Sequence, residues 1–110
     1  MGVVEQYEAV YAPLKQFGVP ANVWDEVLEE MFGPTQPPKV PGAFQMICLA
    51  VKDGQREAAD FPREDDMTDH AYVRSILENA NAFWQTLPPI DRIFWEFDPE
   101  TCTSIKVLRS

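Results

Sequence analysis

Tyr72, Val73, Ile76, Leu77, Ala80, Phe83, Trp84 and Leu87 recur at spacings of three and four residues. That spacing sets all eight on one stripe of a helix. The stretch opens at a capping residue, Thr68 or Asp66, and closes at Pro88-Pro89. With Thr68 as the cap, Met67 stands where it can staple onto Tyr72. Burying such a stripe stabilises a fold by roughly 1.5–3 kcal/mol per large side chain. This helix is therefore expected to be the central one, around which the other elements arrange themselves.

Two further helices are expected before it. Val3, Tyr7, Val10, Tyr11 and Leu14 share a helical face, but Pro13 interrupts it, so the first helix should reach about Tyr11 and a turn should end at Gly18. In the second, Asn22 is read as the N-cap and Asp25 as the reciprocal acid of a capping box. Val23, Trp24, Val27 and Leu28 form its apolar side, and Gly33-Pro34 stops it. Residues 33–42 hold prolines 34, 37, 38 and 41, which makes them an extended internal connector. The PxxP spacing there also matches a ligand of proline-reading domains, but a rigid spacer explains it without a partner. Residues 43–52 are apolar without a decisive period and read as helix or as a third strand, with Asp53-Gly54 as helix stop or hairpin corner.

At the C-terminus the period changes. Ile90–Phe97 and Cys102–Arg109 read as two antiparallel strands around Asp98-Pro99-Glu100-Thr101. Ile93, Trp95 and Phe97 are expected to share a core face with Ile105 and Val107, leaving Phe94 and Leu108 on the other side. The expected architecture is thus a small α+β domain spanning residues 1–110. It is mostly helical, with three or four helices and a C-terminal β-hairpin packed on the central helix.

Charge narrows the function. Eighteen acidic residues against nine Lys and Arg give a net charge of -9. Such a balance opposes direct binding of nucleic acid, whose phosphates require clustered cations, and opposes adsorption to an anionic membrane. No apolar run is long enough to span a bilayer, and the first residues lack a signal-peptide pattern, so a cytoplasmic setting is expected. Cys48, inside the apolar run 46–51, and Cys102 are expected as free thiols.

The residues offer little for catalysis. His70 is the single histidine. It begins the central helix beside Asp66 and Asp69, and a base–thiol pair with Cys102 is less economical than a solvent-facing histidine. Asp65, Asp66, Asp69 and His70 cluster, but without the spacing of a calcium loop or a transition-metal motif. Glu26 and Glu30 occupy a polar helix face where nothing would shift a carboxyl toward acid catalysis. The five glycines never gather into a phosphate-cradling loop. No cofactor, no metal and no enzymatic activity are expected.

Two surface features remain. Residues 57–69 carry Glu57, Asp60, Glu64, Asp65, Asp66 and Asp69 against Arg63 alone. Phe94 and Leu108 lie among Arg92, Glu96 and Lys106, a composition typical of an interface centre. Clustered acids keep a protein soluble, and they also steer it toward basic partners. The expectation is a protein-binding module, in its sharper form an inhibitor or immunity-type protein that docks on a basic surface. A phage-encoded antagonist of a bacterial defence complex would have this size and charge. Because cations interrupt the acid rows, steering is favoured over imitation of DNA. The alternatives are a small accessory subunit or secretion-type chaperone, homodimeric through the hairpin, and an enzyme of unrecognised type.

Overall fold

The computed structural model describes residues 2–8, 11–36, 40–52 and 54–88, together with the backbone of 95–98 and 103–106. The chain runs through α1 (Val3–Gln6), a 3-10 turn (Ala12–Phe17), α2 (Ala21–Phe32), α3 (Gly42–Lys52), a second 3-10 turn (Ala58–Asp60) and α4 (Asp69–Thr86). The cap of α4 is Thr68, whose hydroxyl accepts the Ala71 N–H at 3.1 Å. Tyr72, Val73, Ile76, Leu77 and Ala80 are buried, and α4 packs against both α2 and α3. The 72–80 part of the stripe thus organises the core as its spacing implies.

Residues 42–52 fold as a helix, which settles the choice between helix and strand. Few of them are β-branched, and the apolar run is long enough to bury several sides of a helix at once. Ala43, Phe44, Met46, Ile47 and Val51 are all buried, against α4 on one side and the first 3-10 turn on another. Gly54, in the left-handed region at φ 76°, closes this helix, with the Gln55 N–H donating to the Ala50 carbonyl at 2.8 Å. Gln45 is buried too, and its side-chain amide donates to the Val40 carbonyl at 2.8 Å. That bond ties the end of the proline-rich connector to the helix it precedes; residues 37–39 within the connector lie outside the described residues.

Phe17 joins the layers. Its ring meets Trp24 of α2 edge-on at 5.7 Å, Phe61 at 5.9 Å and Tyr72 of α4 at 6.4 Å. Each such contact adds about 0.5–1.5 kcal/mol beyond burial. The first 3-10 turn is in effect a wedge that locks α2 to α4.

The α+β expectation is corrected. Every buried apolar residue described lies between Val3 and Ala80, in helices, 3-10 turns and the linkers joining them. The domain is mostly helical, and no hairpin forms a layer on its central helix. The helical stripes close the core on one another, so no sheet is needed to cover them. Outside this body, the four-residue segments Trp95–Asp98 and Thr103–Lys106 run antiparallel, with their main contacts on α3. Two segments so short are marginal as a structural layer. Their register sets Ile105 opposite Glu96 and Ser104 opposite Phe97, which departs by one residue from the expected alignment of Ile105 with Trp95 and Phe97. Ile93, Val107 and Asp53 lie outside the described residues.

Two helix boundaries also differ from expectation. α1 stops at Gln6, where Tyr7 leaves helical angles, well short of Tyr11. The N-cap of α2 is Pro20, and Asn22 lies inside the helix. Asp25 therefore closes no local capping box; its carboxylate serves α1 instead, accepting the N–H groups of Val4 at 2.9 Å and Glu5 at 2.7 Å. The Gly18 stop, at φ 72°, and the Gly33 stop, at φ 84°, stand where the sequence implies.

Candidate partner-binding surface

The acidic connector between α3 and α4 is built by its own side chains. Glu57 and Asp60 satisfy each other's backbone N–H in a reciprocal capping box around the short 3-10 turn. The Ala58 N–H donates to Gln16 Oε1 at 3.0 Å, fixing this turn to the first one. Arg63 then arranges the approach to α4. Its guanidinium donates to the Met67 carbonyl at 2.9 Å, pairs with Asp69 at 2.8 Å and lies 5.4 Å from the centre of the Tyr72 ring. The Tyr72 hydroxyl in turn donates to the Phe61 carbonyl at 2.6 Å. Burial pushes the Tyr72 phenol up, with the Arg63 charge pulling the other way.

This arrangement divides the six candidate acids. Asp69 is half-buried and neutralised by the one cation within the segment. Glu57, Asp60, Glu64, Asp65 and Asp66 are exposed, and none forms an ion pair among the described residues. Five carboxylates of one connector thus face water without a fixed countercharge among the described residues. Phe94 and Leu108, the expected apolar anchors, lie outside the described residues.

The groups considered for chemistry are engaged elsewhere. His70 Nε2 meets Glu26 Oε2 at 2.9 Å, and Arg74 meets Glu30 at 3.0 Å. These pairs form two rungs between α2 and α4, because i,i+4 neighbours on one helix face i,i+4 neighbours on the other. Glu26 and Glu30 are thus half of an interhelical ladder. Cys48 is free and partly buried against the core, and burial pushes its thiol well above the ordinary value, which makes it a poor nucleophile. Cys102 lies outside the described residues. Among the described residues no three His, Cys, Asp or Glu stand together as a metal site, and no helix is long and apolar enough to cross a membrane.

One surface residue escaped the sequence reading. Phe83 belongs to the α4 stripe by spacing, yet it is 54% exposed. Periodicity identifies the face of a helix; it does not say where the elements packed on that face end.

The chain matches no protein-family model, no curated protein and no solved structure.

Proposed function

We infer that this protein is a non-enzymatic binding module whose acidic connector docks on a basic surface of a protein partner. The observation that carries the reading is the division among the acids of residues 57–69. Asp69 is consumed internally by Arg63, whereas Glu57, Asp60, Glu64, Asp65 and Asp66 are exposed and form no ion pair among the described residues. Concentrated charge of one sign accelerates encounter with the opposite sign by roughly 10- to 1000-fold at low salt. Blocking a basic surface, as an inhibitor or immunity-type protein does, is the activity that such a connector serves best. Elsewhere acids meet cations, as in the Glu30–Arg74 rung and the Glu8–Lys15 pair. That pairing favours electrostatic steering over imitation of a phosphate row.

The test is affinity purification followed by kinetics on the recovered partner. Reversing Glu64, Asp65 and Asp66 to Lys, with Asp69 left in place, should slow association roughly tenfold or more at low salt. The melting temperature should barely move, since these three side chains hold nothing inside the protein. Association unchanged by the triple reversal, or insensitive to salt in the wild type, would overturn the reading.

A further inference from the structure

α4 stays in contact with the core through Trp84 and Leu87 near its C-terminal end, yet one residue of its stripe is left open. Tyr72, Val73, Ile76, Leu77 and Ala80 on its stripe are buried, but Phe83, the next stripe position after Ala80, is the large apolar side chain left most open among the described residues, at 54% exposure. Trp84 beside it is not available as a cover. Its ring lies flat on Gly42 at the start of α3, so closely that no Cβ would fit there. With Trp84 held, α4 cannot rotate to hide Phe83.

The surroundings of Phe83 differ from the rest of the chain. Charged residues make up 25% of the sequence, yet residues 79–88 contain none. Asn79 and Thr86, both exposed, stand one turn before and one turn after Phe83 on the same side of the helix. An exposed aromatic within an uncharged patch, with charge held at a distance, is the make-up of an interface centre.

Charge also selects the occupant. A second copy of the chain would bring another net charge of -9 against the first, whereas a cationic rim gains from the same field. The acidic connector enters α4 at one end, and Phe83 lies 14 residues beyond Asp69, about 21 Å along the helix axis. We propose that Phe83 is the apolar anchor of an interface with a protein whose apolar cleft is rimmed by Lys and Arg, the cleft taking the ring and the rim meeting the connector carboxylates. The cationic rim rests on the acidic-docking reading above; the anchor does not.

Two synthetic probes test this on the full chain. One is a helical peptide with a leucine stripe flanked by lysines; the other has the same length and charge, with serine replacing leucine. The leucine peptide should bind roughly fivefold or more tightly than the serine peptide, and only the leucine peptide should shift the amide resonances of 79–86. Phe83→Ala should abolish the difference, and Phe83→Leu should keep most of it. Equal affinities in the wild type, an advantage that survives Phe83→Ala, or shifts confined to other helices would overturn the anchor. Concentration-dependent dimerisation abolished by Phe83→Ala would overturn it in favour of a second copy. If the serine peptide binds in a salt-sensitive way and leucine adds nothing, the anchor fails and the acidic docking stands. If neither peptide binds, both fail. Should Phe83→Ala not fold, the wild-type affinities and shift map decide alone.

Discussion

Gly2 lies flush against the Asp25 carboxylate, leaving no room for a Cβ at residue 2. From α2, Asp25 accepts the N–H groups of Val4 and Glu5 while being only 8% exposed. A helix of four residues cannot satisfy its own first-turn donors, and here a carboxylate twenty residues later does so. Asp25→Ala would leave the buried Val4 N–H and the part-buried Glu5 N–H without their acceptor, at a cost of about 1–3 kcal/mol. Asp25→Asn retains one acceptor and should cost less. Denaturant titration with hydrogen exchange checks this: protection should be lost first at Val3–Gln6. An even loss across α2, α3 and α4 would mean that Asp25 does not act through α1.

The same carboxylate gives a signed pH dependence. Burial raises its pKa above the usual 3.8, and the two N–H bonds oppose that rise without cancelling it. The folded protein therefore holds this proton more tightly than the unfolded chain does. The resulting contribution to stability is fully present below the ordinary value and is lost as pH rises through the raised one. Relative to Asp25→Asn, the wild type should lose stability as pH rises from below the ordinary 3.8 through the raised value, and then level off. Unfolding curves for both proteins across that range measure the difference. A wild type that gains on the variant with rising pH would show the N–H bonds outweighing desolvation.

What the sequence makes legible is whatever depends on near neighbours. Thr68 caps the Ala71 N–H three residues on, Gly33 and Gly54 end their helices through their own positive φ, and the 72–80 stripe is buried by its spacing. The acidic run 57–69 is equally visible as composition. What stays hidden depends on partners far along the chain. Asp25 reads as a local capping acid because its true partners, Val4 and Glu5, belong to another helix. The neutralisation of Asp69 and the exposure of its neighbours follow from where Arg63 turns, toward the Met67 carbonyl and the Tyr72 ring. Phe83 is apolar and in phase, and only the extent of α2 and α3 shows that nothing there reaches it.

The ladder between α2 and α4 should prove modest. The side chains of Glu26, His70, Glu30 and Arg74 are each about half exposed, so water and salt screen them. A double-mutant cycle on Glu30→Gln and Arg74→Gln should give a coupling below about 1 kcal/mol that shrinks further in high salt. His70→Ala should likewise leave the fold and any partner affinity nearly intact. A loss of binding on His70→Ala, with melting unchanged, would move this histidine from the frame of the protein to its working surface.

Gly42 and Trp84 offer the sharpest test of how α4 is seated. An alanine favours a helix over glycine by about 1 kcal/mol, so a position governed by propensity alone would gain from Gly42→Ala. Here the added methyl would enter the indole ring of Trp84, and overpacking of this kind costs roughly 1–3 kcal/mol. The net effect should be a lower melting temperature with altered tryptophan fluorescence. Trp84→Phe withdraws the part of the ring that meets Gly42, so the double variant should be less destabilised than the two single variants summed. A Gly42→Ala protein more stable than wild type would mean that the ring yields at little cost. The seat of α4 would then be looser than the contact implies, and the exposure of Phe83 beside it would no longer be enforced by Trp84.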